Sequence, residues 1–174
     1  MLDASRILGT EVGSTMPAFL VVLAVHVAAA VAAVITGAAA AVSRKGTARH
    51  VRAGRWYYRA LTLAFASASV LAIVCWRQDY ELFIIGAIAF TAAFTGRRHR
   101  RQHRPGDSPH IAGMGVSYIA MLTAFYVDNG PHLPLWDRLP PLTFWFIPAL
   151  VGAPVIWRAL ARARRDATAA RTTG

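Results

Sequence analysis

Met16-PAFLVVLAVHVAAAVAAVITGAAAAV-Ser43 runs without a single Asp, Glu, Lys or Arg, and its reading decides the fold. An α-helix needs about 20 apolar residues to cross the hydrocarbon core of a bilayer, and this run exceeds that. Working outward, four more apolar runs follow at Trp56–Trp76, Tyr80–Gly96, Ile111–Val127 and Leu142–Trp157. Together with Pro17–Val42 they predict an all-α polytopic bundle of five transmembrane spans, the third and fifth short. Residues 1–16 form an extracytoplasmic N-terminal segment, 17–157 the membrane domain, and 158–174 a basic cytoplasmic tail.

At 56% hydrophobic and 16% charged, the 174-residue chain is too apolar for a soluble domain. Its net charge of +11 and pI near 11.3 raise a nucleic-acid partner, so the position of the charges has to decide. One cluster holds Arg44, Lys45, Arg49, Arg52, Arg55 and Arg59, a second Arg97, Arg98, Arg100, Arg101 and Arg104, and a third Arg158, Arg162, Arg164, Arg165 and Arg171. Five spans put these 16 of the 19 basic residues on one side, leaving Arg6, Arg77 and Arg138 opposite. The positive-inside rule makes that side cytoplasmic, with the N-terminus out and the C-terminus in. Of the acidic residues, Asp3, Glu11, Asp79, Glu81, Asp128 and Asp137 fall outside, and only Asp107 and Asp166 inside. The basic excess is then accounted for by orientation and by attraction to anionic lipid at the cytoplasmic face, and no nucleic-acid partner is expected.

The first span is expected to stay in place as an anchor. Asp3, Arg6 and Glu11 precede it instead of a basic cluster, and the apolar run is longer than the core of a cleaved signal. A single cysteine, Cys75, excludes an intramolecular disulfide and is expected to pack as a small apolar residue.

Ala29, Ala33, Gly37 and Ala41 recur every four residues, the small-residue spacing that lets helices approach closely in lipid. That face is expected to point into the bundle and to offer docking for a partner helix or a second copy. His26 shares it, and lies about 13 Å into the span, near mid-membrane. His110, Met114, Ser117 and Met121 form one stripe of the fourth span. The fifth contains Pro148, Gly152 and Pro154 and is expected to kink, with Phe144, Trp145, Phe146 and Trp157 facing lipid or its interface. The segment 129–141 is too rich in proline for a helix and reads as a semi-rigid cap.

Histidine carries most of the chemical potential here, because neutral imidazole ligates metals and haem iron. An ionisable residue inside a membrane span is by default a functional candidate, which singles out His26. Its alternative role is packing, through a hydrogen bond to Ser67, Ser69 or Ser117. His50 and His110 both fall on the cytoplasmic side, and with Met114 one turn beyond His110 they offer the imidazole and thioether ligands that hold b-type haem or a metal. The alternatives are a solvated loop position for His50 and an interfacial one for His110. His99 and His103 share i, i+4 spacing, but Arg97, Arg98, Arg100, Arg101 and Arg104 around them oppose a divalent cation. His132 falls in the outer cap. There is no phosphate-cradling glycine loop, His-Glu-x-x-His or glycine-flanked serine.

Two stretches belong together: His26 with the Ala-rich run, Arg44-Lys45-Gly46, His50, Gly54-Arg55 and Tyr57; then His110-IAGMGVSY-Ile119 and Ala124-FYVD-Asn129. They resemble the bacterial membrane-protein family catalogued as domain of unknown function 2306, over most of residues 22–152. The resemblance implies a small multi-helix protein of a bacterial plasma membrane and no established activity. It directs attention to His26, His50 and His110. At 1.5 Å per residue His26 lies about 24 Å from the cytoplasmic loop, so a single haem suits His50 with His110 but not His26 with either.

Three functions follow as expectations: a haem-binding or metal-binding membrane protein using His50, His110, Met114 and His26; a non-catalytic assembly or partner-binding subunit; and a carrier of small solutes or lipid.

Overall fold

The computed structural model describes residues 6–7, 10–11, 17–74, 76–102, 105–134, 136 and 138–172. Cys75 and His103, with the expectations attached to them, lie outside these residues. A short antiparallel pairing of β1 (Arg6–Ile7) with β2 (Thr10–Glu11) sets Arg6 opposite Glu11. Five long helices follow: α1 (Pro17–Val42), α2 (Ala48–Val74), α3 (Trp76–Arg101), α4 (Ser108–Asn129) and α5 (Pro141–Thr172). The 3-10 turn Gly130–His132 continues α4.

Among the described residues, four stretches are long and apolar enough to cross a membrane: Pro17–Val42, Ala48–Ile73, Ser108–His132 and Pro141–Ala169. These are the features of a membrane-embedded, multi-pass helical protein. The exception among the five expected spans is α3. Its charge-free run Leu82–Gly96 is closed off by Glu81 and Arg97, and covers about 22 Å of a hydrocarbon core about 30 Å thick. All the other helices outrun their apolar cores except α1, which matches the expected bounds. Arginine and alanine are good helix formers, so α2 begins at Ala48, and α5 carries the helix through the arginine-rich segment to Thr172.

The chain divides into two units, Met1–Ile84 and Ile85–Gly174, the division falling within α3. In the first, α1 packs along α2. Ala29, Ala33 and Gly37 are buried at the expected spacing, while Ala41, in the last turn, is exposed. Tyr57, Leu61, Ala64 and Ser67 are the buried positions of α2 in the same stretch. Val21, Val25, Val31 and Ile35 of α1 are exposed, which in a bilayer means solvated by lipid.

In the second unit the chain backbones of α3 and α4 touch. A Cβ built on Gly113 would lie 2.6 Å from the Ala92 carbonyl oxygen and 2.8 Å from Gly96 Cα. Only glycine fits there, because no backbone atom can step aside as a side chain can. The α4–α5 contact works differently, by exchange: Ile156 of α5 fills the space above Gly115, and Ile119 of α4 fills the space above Gly152. Gly152 therefore serves packing, and α5 runs unbroken through Pro148 and Pro154. Phe144, expected at the lipid face, is instead buried with its ring against Gly130. Phe146 and Trp157 are exposed as expected.

Candidate functional site

His26, His50 and His110 use their rings in the same way. His26 is half-buried on α1, its Nδ1 3.0 Å from the Ala64 carbonyl oxygen and 3.2 Å from Ser67 Oγ, both on α2. A carbonyl has no proton to give, so Nδ1 must carry one and donate it. Ser67 Oγ accepts from the ring while its own hydrogen turns back to the α2 carbonyls of Leu63, at 2.8 Å, or Ala64, at 3.0 Å. Of the three serines weighed as partners for His26, Ser67 is the one the fold supplies.

His50 stands in the first turn of α2. Thr47 caps that helix: its Oγ1 accepts from the His50 backbone N–H at 3.3 Å, three residues into the turn. The His50 ring turns the other way, and Nδ1 donates to the Ala40 carbonyl oxygen of α1 at 3.0 Å. The last four carbonyls of a helix lack partners within it, so this bond closes the C-terminus of α1 with a side chain from α2. The tight connection between them turns at Gly46, whose φ of 82° is the left-handed conformation that glycine adopts without strain.

His110 lies at the start of α4, just beyond Pro109, and its Nδ1 donates to the Gly96 carbonyl oxygen of α3 at 3.1 Å. The glycine crossing makes this reach short, because α3 and α4 approach to backbone contact one turn further along α4. Met114 is half-buried at the same crossing, its backbone nitrogen 3.3 Å from where a Gly96 Cβ would sit. Ser117 and Met121, further along the stripe, are buried, which makes it the inward face of α4.

In a neutral ring whose Nδ1 holds the proton, Nε2 carries the lone pair. Each of the three histidines is thus fixed in one tautomer by a backbone carbonyl of another helix. Metal-bound and haem-bound histidines are held in the same manner, one nitrogen anchored while the other ligates. His99 does the reverse, donating Nε2 to the Gly106 carbonyl oxygen at 3.0 Å, and His132 is exposed in the 3-10 turn. No group of three or more His, Cys, Asp or Glu side chains converges among the described residues, so no multidentate metal centre is found there.

His50 belongs to the first unit and His110 to the second, each anchored within its own. Sequence reasoning missed the three carbonyl acceptors, since a main-chain oxygen has no sequence signature. It missed Thr47 as well, although a threonine ahead of a helical run is a readable cap. The chain matches no known protein family, no curated protein and no solved structure.

Proposed function

We propose that this chain is a bacterial plasma-membrane protein of five spans, N-terminus out and C-terminus in, related to the family of domain of unknown function 2306, and that it binds b-type haem through histidine. The observation that carries the haem reading is the shared anchoring of His26, His50 and His110 through Nδ1, which in a neutral ring puts the lone pair on Nε2. His50 and His110 come first as ligands, with Met114 as the thioether beside His110. One or two axial ligands suffice for haem, whereas a bare metal ion needs a convergent set of side chains. His26 is a further ligand or a packing residue.

The five-span reading rests on the arginines. If α3 did not cross, Arg97 to Arg104 and the α5 arginines would lie on the side opposite to Arg44 through Arg59. Crossing unites all three clusters on the cytoplasmic side, in contact with anionic lipid. Local thinning of the bilayer and snorkelling of arginines at the ends of α3 accommodate its short apolar run. A reporter enzyme fused after Gly174 is active only in the cytoplasm on this reading, and periplasmic activity overturns it.

The haem reading is tested by the absorbance spectrum of detergent-purified protein, expressed with ample haem, before and after dithionite, with metal analysis of the same sample. A Soret band that sharpens on reduction is expected. His50→Ala or His110→Ala removes it, and His99→Ala leaves it intact. A featureless, metal-free spectrum, or equal loss in all three variants, sinks the haem reading. It would leave the second reading, a non-catalytic assembly or partner-binding subunit. What favours that one is that the His26 and His110 bonds each tie two helices together and so have a use without any ligand.

A further inference from the structure

Three of the basic residues of α2 share one face of the helix with a tryptophan. Arg49, Arg52, Trp56 and Arg59 follow at i, i+3, i+7 and i+10, one stripe of an α-helix. All four are exposed, Trp56 to 54%. Arg49, Arg52, Ala53 and Trp56 line an open cleft of about 410 Å³. The Arg59 guanidinium carbon lies 5.3 Å from the centre of the Trp56 ring, a cation–π contact that holds the indole and this arginine together.

Within α1, α2 and their connection there is no Asp or Glu to neutralise this stripe. By contrast, Arg100 at the end of α3 has Asp107. Arginine presents a planar fork that binds phosphate through paired hydrogen bonds, and Arg49 and Arg52, one turn apart, can converge on one group. The stripe's position along α2 suits a headgroup. It occupies the first turns of α2, ahead of the buried apolar positions Leu61 and Ala64, where a membrane helix meets the headgroup layer and where tryptophan is favoured.

We propose that Arg49, Arg52, Trp56 and Arg59 form a discrete site for the phosphodiester headgroup of one anionic phospholipid. Arg49 and Arg52 bind the phosphate oxygens, and the exposed indole, held by Arg59, packs beside the upper acyl chain and glycerol. This goes beyond a general attraction of the cytoplasmic face for anionic lipid, because it names one helix face and a saturable stoichiometry. It rests on α2 as a membrane helix and is independent of the haem reading and of the number of spans.

The test is native mass spectrometry of the full chain in a neutral detergent, titrated with phosphatidylglycerol or with phosphatidylcholine. Wild type should retain one phosphatidylglycerol per chain and show no comparable retention of phosphatidylcholine. Each basic residue near an anionic lipid contributes roughly a factor of five, so Arg49→Gln with Arg52→Gln weakens retention about 25-fold. A charge-matched control, Arg162→Gln with Arg164→Gln on α5, changes it by less than about twofold. Equal loss in the two double variants, or equal retention of both lipids, overturns the site in favour of diffuse charge or plain hydrophobic adhesion. Saturation of the same site by soluble glycerol 3-phosphate, with displacement of phosphatidylglycerol at like concentration, overturns the lipid as its occupant. Circular dichroism of both variants separates loss of the site from loss of the fold.

Discussion

Two helix contacts in this chain reach close approach by different chemistry. Between α1 and α2 the small residues of α1 are mostly alanines, Ala29 and Ala33, buried where the helices pack, and a polar bond from His26 reaches the Ala64 carbonyl of α2. Between α3 and α4 the small residues are glycines, and the main chains themselves touch at Gly96 and Gly113. In lipid no hydrophobic force drives helices together, so packing and polar bonds must do it. Alanine contact tolerates adjustment because a methyl group and its neighbours can shift. Backbone contact does not, and it converts one missing Cβ into a fixed position for the His110 ring.

That difference is broken most severely at Gly113. Gly113→Ala puts a methyl 2.6 Å from the Ala92 carbonyl oxygen and 2.8 Å from Gly96 Cα, so the helices must part. A loss of about 3 kcal/mol is expected, at the upper end for overpacking, because both obstacles are backbone. Gly96→Ala meets its nearest atoms at 3.2 and 3.3 Å and should lose about 1 kcal/mol. Unfolding in detergent measures both, and equal losses would show that the crossing is not as asymmetric as its geometry. Ala33→Gly, in the alanine contact, removes a methyl instead and costs about 1 kcal/mol through helix propensity alone.

The legibility of the two contacts differs for the same physical reason. The stripe of Ala29, Ala33 and Gly37 stands within one helix at a fixed repeat, so it can be read before any partner is known, and His26 shares its face, whereas the choice of Ser67 over Ser69 and Ser117 comes only with the fold. The pair Gly96 and Gly113 belongs to two helices and means nothing until their crossing is given; each alone is a common residue of a membrane span. The spans themselves were legible from charge-free length, except that α3 falls short on the same criterion. Phe144 was misread because aromatic residues near a span end suit lipid equally well, and only the space above Gly130 draws it inward. For the candidate site, the histidines stand out by residue type, and their tautomers only through carbonyls that no side-chain pattern encodes.

The polar bond of the α1–α2 contact is the next largest effect. His26→Ala removes both the donation to Ala64 and the contact with Ser67. Interhelical hydrogen bonds in membranes average about 0.6 kcal/mol and reach about 1.7, and the vacated ring volume adds to that. A loss of about 1–2 kcal/mol is expected. Ser67→Ala should cost less, a few tenths of a kcal/mol, since the Ala64 carbonyl still accepts from the ring. A thermal melt in which Ser67→Ala is the more damaging of the two would transfer the principal role in this contact from the imidazole to the hydroxyl.

The smallest effect is also the sharpest control on the glycine argument. Gly115 stands two residues beyond Gly113 on α4, and a Cβ there meets Ile156 Cδ1 and Cγ1 at 2.6 Å, as close as Gly113 meets Ala92. Distance alone therefore predicts equal damage. The obstacle at Gly115, however, is the outer part of a half-buried side chain on α5, which can change rotamer and move aside. Gly115→Ala also gains about 1 kcal/mol of helix propensity, which offsets the repacking of Ile156. A net change within about 1 kcal/mol is expected, against about 3 for Gly113→Ala two residues away. If the two substitutions prove equally damaging, main-chain contact is not what distinguishes α3–α4 from α4–α5, and the fixed placement of His110 loses its physical basis.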